Sequence, residues 1–335
     1  MEKILTIAIP AYNVERYLRQ CLDSFLVESV LSEIEILIIN DGSEDSTEQI
    51  GLEYQRRFPE SICVITKENG GHGSAINTGI EYAQGKYFKI VDGDDWVNSE
   101  EWEEFIHFLK SQECDLVASN FRKMDHTTQL PLRQQERTFY NIRYNETYQF
   151  QDIYGKAFIK MHSMTIRTSI FKENNIKISE HCFYVDAEYI FFPIPYIKTV
   201  IFYEPDIYMY RLGLPGQSID IKKMQKNMSN HTHVLERMLK YYDQLNQTQL
   251  PNGTLKYMQD SIGKIVASQV KIYISFPLGS GMRKKLMEMD QEIKKKYPEI
   301  YNSVKNNNVW IMRKTGYLTF PLAVLAFRIL SKKSS

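Results

Sequence analysis

The chain has 335 residues, 43% of them hydrophobic and 24% charged, which leaves room for one large domain plus a smaller one and argues against global disorder. Its formal charge is zero, yet residues 1–220 carry 21 basic and 34 acidic side chains while residues 221–335 carry 20 and 7, so the second part suits an anionic partner such as a membrane. Four scattered cysteines (Cys21, Cys63, Cys114, Cys182) form no Cys-x-x-Cys pair, so neither a zinc site nor a disulfide framework is signalled, and each reads as a small core residue in a reducing compartment.

Leu5 to Ile9 is a short β-type run that ends in the turn residues Pro10-Ala11-Tyr12-Asn13. Glu15 to Leu26 has apolar residues at helical spacing. Ile34 to Ile39 is a nearly unbroken Ile/Leu run, as in a strand buried on both faces, and it leads into Asn40-Asp41-Gly42-Ser43. Asp45-Ser46-Thr47 supplies N-cap residues for the next helix. Ile62 to Ile65 is a third strand, Glu68 to Ser74 a Gly-rich loop, Ala75 to Tyr82 a helix, and Tyr87 to Val91 a fourth strand running into Asp92-Gly93-Asp94-Asp95. Strands alternating with helices predict an α/β domain with a mostly parallel sheet and helices on both faces.

Trp102 to Leu109 reads as a helix, Asp115 to Ser119 as a strand, and residues 122–150 as an excursion of loops and short strands. Phe158 to Arg167 returns to the sheet, and Asn174 to Val185 is loop-like. Pro193 and Pro195 limit any helix after Asp186, and Pro205 is expected to split Val200–Tyr210 into two strands. Beyond Ser218 the composition turns to Met, Lys, Leu and Gln, with helices expected over about 221–245, 255–273 and 282–296. The division is therefore drawn as a domain over 1–220 and a basic helical region over 221–335.

Tyr317 to Leu330 is strongly apolar with basic flanks, too short to span a bilayer and interrupted by Pro321. Residues 315–333 are read as a segment lying on a membrane surface, the alternatives being a helix docked on the catalytic domain or a dimer contact. The apolar start is broken by Pro10, Asn13, Glu15 and Arg16, so no signal peptide is expected, and the chain is placed in the cytoplasm at the inner face of the membrane. No aromatic-basic pattern supports a nucleic-acid partner. The histidines at 162, 181, 231 and 233 form no metal-ligand pattern.

Three carboxylates within four positions, at the end of a buried strand, repel one another unless a cation or hydrogen bonds offset them. Oxygen ligands suit Mg²⁺ or Mn²⁺, held by one or two carboxylates and completed by substrate phosphates. The bland alternative is a solvated acidic turn; likewise Asp41 serves equally as a turn residue or as an acceptor for a base or ribose.

Taken together, Pro10-x-Tyr12-Asn13, Asn40-Asp41-Gly42-Ser43-x-Asp45-x-Thr47, Glu68-Asn69-Gly70-Gly71, Asn77-x-Gly79, Gly85 and Asp92-x-Asp94-Asp95 resemble the family 2 glycosyltransferases of GT-A fold, of the bacterial, non-processive type that builds surface polysaccharides. The resemblance implies a Rossmann-like nucleotide-sugar domain followed by the smaller helical region. Pro10, Ala11 and Tyr12 would line the base pocket and Asp41 would contact the base. Asp94, with Asp92, would bind a divalent cation (Mn²⁺ or Mg²⁺), Asp92 and Gly93 also lying near the donor. Asp95 is left to cap the following helix. Lys67, Gly71 and His72 would add donor contacts, and Arg211 in Tyr208-x-Tyr210-Arg211 would meet the diphosphate. Asp186 would be the general base; Val185 stands where the family has Glu, and Glu188 is the reserve.

The implied activity is metal-dependent, inverting transfer from a UDP-sugar to a saccharide hydroxyl, plausibly lipid-linked. The Gln-x-x-Arg-Trp signature of processive members is absent. Two alternatives are an inactive nucleotide-sugar-binding scaffold and a nucleotidyltransferase; the latter calls for a Gly-rich basic loop after the first strand, where this chain has Pro-Ala-Tyr-Asn.

Overall fold

The computed structural model describes residues 3–132, 139, 141–214 and 221–333. It divides into two compact units, Met1–Pro215 and Gly216–Ser335.

In the first unit the chain runs β1 (Leu5–Ala11), α1 (Leu18–Asp23), α2 (Glu28–Leu31), β2 (Ile34–Asn40), α3 (Thr47–Arg57), β3 (Ile62–Thr66), α4 (His72–Tyr82), β4 (Tyr87–Ile90), β5 (Trp96–Val97) and α5 (Ser99–Ser111). It continues through β6 (Leu116–Asp125), β7 (Thr147–Gln149), β8 (Met164–Arg167), α6 (Thr168–Glu173), α7 (Asp186–Phe191) and β9 (Thr199–Leu212). One sheet has the order β3-β2-β1-β4-β8-β6-β9-β5, with β7 on β9. Neighbours are parallel from β3 to β4, as the strand–helix alternation predicts, and β6 is parallel to β9; β8 is antiparallel to both β4 and β6. Every residue of β1 and β2 is buried, which is why Ile34 to Ile39 reads as a nearly unbroken Ile/Leu run.

The strand around Pro205 is not split. β9 is continuous, and the register slips opposite Ser119–Phe121, so that Ser119 faces Tyr203 and Asn120 faces Asp206. A bulge absorbs a proline that cannot donate to the ladder.

The second unit is helical: α8 (Ile221–Lys226), α9 (Met228–Gln244), α10 (Asn252–Ser275), α11 (Met282–Lys296), α12 (Pro298–Ser303), α13 (Asn307–Lys314) and α14 (Phe320–Lys333). Its interior holds polar links as well as apolar ones. His231 Nδ1 is 2.6 Å from Gln269 Oε1, and Arg313 forks onto Asp290 through Nε and Nη2 at 2.9 and 2.6 Å. Among the described residues no helix is long and apolar enough to cross a membrane.

Candidate active site

The loops at the carboxyl ends of β1, β2 and β4 meet in one cleft, the usual ligand position in an open α/β sheet. They are stitched together by the residues that also read as turns. Asn13 takes φ +54° and accepts from Glu44 N at 2.9 Å, while Asn13 N donates to Ser43 Oγ at 3.1 Å. Val14 N donates to Thr47 Oγ1 at 2.9 Å, and Asp45 accepts from Thr47 N and Glu15 N. Gly93 fits against the β1 loop, where a Cβ would lie 3.0 Å from Val14 and 3.2 Å from the Pro10 carbonyl. Pro10 and Ala11 are buried in β1; Tyr12 is 50% exposed at the lip of the loop.

Asp41 is buried, and its carboxylate accepts from Lys67 Nζ (2.9 Å), Gly70 N (2.9 Å) and Gly71 N (2.7 Å). Successive backbone N–H groups around an oxyanion form a nest. Here the anion is the protein's own, so the N–H groups of Gly70 and Gly71 are given to Asp41. Gly71, at φ +82°, caps α4 and brings His72 in as its first residue. Gly73 lies so close to the 176–183 segment that a Cβ would fall 2.0 Å from the Ser179 carbonyl.

His72 Nε2 sits 2.9 Å from Asp92 Oδ1. Burial opposes a charged imidazole, but Asp92 outweighs it and raises the His72 pKa. In return, although burial acts the other way, the imidazole lowers that of Asp92. Burial and the neighbouring Asp92 charge push Asp94 up to about 6. Burial together with Asp94 and Asp92 raises Asp95 well above the carboxylate range. Asp95 does not cap α5, since Asn98 does so by accepting from Glu100 N. Its carboxylate instead takes the Tyr208 hydroxyl at 2.5 Å and Arg211 N at 2.7 Å, fastening the acidic turn to β9.

Arg211 is 2% exposed. Nε donates to the Asp94 carbonyl at 2.6 Å and Nη2 to Gln20 Oε1 at 2.7 Å, and the guanidinium stands over Tyr17 and Trp96. It thus braces the acidic turn from behind.

Asp186 opens α7, where two residues limit the alternatives for a base. Glu188 is fully buried, accepting from Ser179 N (2.8 Å) and Ser179 Oγ (2.9 Å), so it holds the 176–183 segment. Asp186 stays accessible, and desolvation by the cleft raises its pKa, opposed by the charge of His72 and aided by that of Asp92. Residues 72, 92 and 186 thus share one electrostatic environment.

His162 belongs to no ligand pattern in the sequence. β8 runs antiparallel to β4 with Phe88 opposite Ile166, which carries residues 162–163 past the end of β4 toward Asp92. Ligand atoms of Asp92, Asp95 and His162 lie within 4.8 Å of one another, forming a candidate metal group among the described residues. Burial drives His162 down to about 4, leaving the imidazole neutral and able to coordinate. This set includes Asp95 and His162 rather than the expected Asp94, whose carboxyl is in the same turn. Carboxylates crowded in one buried turn beside a neutral imidazole are a ligand set that fits a divalent cation.

The fold and this cleft define an α/β scaffold with an acidic candidate site at the carboxyl ends of its parallel strands. The family model for glycosyl transferase family 2 matches residues 6–174, half of the chain, and the protein belongs to that family. It is 39% identical over 133 residues to the uncharacterized glycosyltransferase EpsJ of Bacillus subtilis (strain 168), covering 39% of this chain and 38% of EpsJ, so the match spans well under half the length of that relative. Among solved structures, S. aureus TarS 1–349 in complex with UDP aligns over 97% of this chain and 87% of its own with TM-score 0.57 at 18% identity. The mannosyltransferase PcManGT of Pyrobaculum calidifontis, in complex with GDP-Man and Mn²⁺, aligns over 99% and 88% with TM-score 0.52 at 12% identity. Both likenesses establish the GT-A fold.

Proposed function

We propose that the protein is an inverting glycosyltransferase that moves a sugar from a UDP-sugar to a saccharide hydroxyl on a lipid-linked acceptor in surface-glycan synthesis. The observation that carries this reading is the convergence of His72, Asp92 and Asp186 on one cleft from three separate elements. Tyr12 offers an exposed ring for the base, and Asp41 with Lys67 shapes the pocket wall beside it. Asp92, with Asp94 or Asp95 and His162, would hold a divalent cation, which when bound neutralises charge on the departing diphosphate. Asp186 takes the proton of the acceptor hydroxyl as that oxygen bonds to the anomeric carbon and the nucleoside diphosphate leaves, a single displacement that inverts the centre.

That TarS was solved with UDP supports a uridine donor, and PcManGT with Mn²⁺ supports a cation. Four free cysteines suit a reducing compartment, the cytoplasm. The test is nucleotide release from a panel of UDP- and GDP-sugars with Mn²⁺ and saccharide acceptors, with product configuration read by NMR. Release from UDP-sugars with inverted product is expected. Retained configuration overturns the single displacement, and donor binding without release for every acceptor leaves a scaffold.

A further inference from the structure

The last helix of the second unit is apolar on two sides and packed on one. Phe320 and Val324 are buried, and α14 lies against α10. Leu322, Leu325 and Ile329, at i, i+3 and i+7 of α14, are instead 65, 47 and 61% exposed, and Leu318 in the turn before the helix is 74% exposed. Three large aliphatic residues at helical period form a stripe rather than scattered surface apolars. Phe320 and Pro321 also wall an open groove with Leu278, Met282 and Met287, which shares its lining with the basic Arg283 and Lys284. On α13, Trp310 is 58% exposed with Lys314 over its ring.

We propose that the outer stripe of α14 docks on the surface of an anionic lipid bilayer, with the helix in the membrane plane. Charge decides between the occupants. Residues 221–335 carry 20 basic against 7 acidic side chains, so a second copy of this face would bring like charges together, whereas anionic headgroups complement it. Length decides the mode. Fourteen residues rise about 21 Å as a helix, short of the roughly 30 Å hydrocarbon core. Arg328 is exposed on the same helix and the sequence has Lys332 and Lys333 after the stripe, charges that anionic headgroups favour. This docking is independent of the transferase reading and is measured without donor or cation.

The experiment is sedimentation of the full chain with vesicles, either phosphatidylcholine alone or with about a third phosphatidylglycerol, in low and high salt. Binding is expected only to the anionic vesicles and is expected to weaken in high salt. The triple variant Leu322→Gln, Leu325→Gln, Ile329→Gln should bind at least about tenfold more weakly, from its lost apolar insertion. Its melting curve should match the parent, because these side chains are exposed in the free protein. Failure of the parent chain to bind anionic vesicles overturns the proposal. So does a parent that is dimeric and a triple variant that is monomeric, since the stripe would then be a self-interface.

Discussion

Arg211 Nε donates to the backbone carbonyl of Asp94 at 2.6 Å, and Arg211 N donates to the Asp95 carboxylate at 2.7 Å. One residue of β9 therefore fixes the second half of the acidic turn, the side chain holding the Asp94 peptide and the main chain the Asp95 carboxylate. Replacing Arg211 with Lys keeps a charge but loses the planar fork that reaches Asp94 and Gln20 together. Supporting contacts of this kind are worth about 10–100-fold in metal affinity or activity. Arg211→Lys should therefore raise the Mn²⁺ concentration for half-maximal turnover by about that factor. A variant with an unchanged cation requirement shows that Arg211 does not position the turn.

Removal of the cation follows from the same turn. Asp94 is raised to about 6 by burial and Asp92, and Asp95 is raised by burial and the two neighbouring acids, a repulsion that a bound cation relieves. Chelation by EDTA should abolish transfer, and Mn²⁺ should restore it. Asp92→Asn should cut activity by about 100-fold or more, since it removes both a proposed ligand and the partner of His72. His162→Ala separates the two candidate ligand sets. If cation affinity is unchanged in that variant while Asp94→Asn loses it, the site is Asp92 with Asp94, and His162 is a packing residue against Tyr210.

Asp186→Asn keeps shape and removes the base. Transfer should fall by about 10²–10⁴-fold while binding of UDP, followed by calorimetry, stays within about twofold. Glu188→Gln should act differently. Its carboxylate holds Ser179 in the interior, so the variant should lose about 1–3 kcal/mol of stability. Full transfer by Asp186→Asn overturns the base assignment.

The parallel half of the sheet and the cleft loops were legible in the sequence because each strand end and its turn are local. Leu5–Ile9, Ile34–Ile39 and Tyr87–Val91 carry their burial in their composition, and Asn13, Ser43, Asp45 and Thr47 carry their turn chemistry in their types. What the sequence did not show depends on distant pairing. His162 reaches Asp92 only because β8 lies antiparallel to β4, and Asp95 finds Tyr208 and Arg211 across more than a hundred residues. The resemblance sets Arg211 at the diphosphate, and its burial against Tyr17 and Trp96 follows from the pairing of β5 with β9. The resemblance likewise gives Gly71 to the nucleotide-sugar, and the claim of Asp41 on the N–H groups of Gly70 and Gly71 shows only in the folded loop.

Gly73 tests how the two walls of the cleft are held together. A Cβ there would sit 2.0 Å from the carbonyl of Ser179, a residue whose N–H and hydroxyl donate to Glu188. The neighbouring chain must shift, and overpacking of this type costs about 1–3 kcal/mol. Gly73→Ala should lower the melting temperature and, by displacing the 176–183 segment, reduce transfer. Gly155→Ala, with nothing within 4 Å of its Cβ, lacks that clash but has φ +77°, so its cost should reflect backbone strain alone. Equal losses in stability and activity for the two variants would mean that close approach at Gly73 is not what matters.

The helical unit carries a pH dependence of its own. His231 is buried, and burial lowers its pKa below the ordinary 6.5, partly offset by its hydrogen bond to Gln269. In the unfolded chain the imidazole regains its normal value, so below about pH 6.5 the unfolded state binds more protons than the folded one. Stability from the neutral His231 is fully present above that pH and is lost as the pH falls toward the lowered folded value. The slope approaches about 1.4 kcal/mol per pH unit in that window. Denaturant melts of the full chain at a series of acidic pH values should show this fall, and His231→Gln, which keeps an amide for Gln269 and cannot titrate, should flatten it. A variant that retains the same acid slope places the proton uptake at another group.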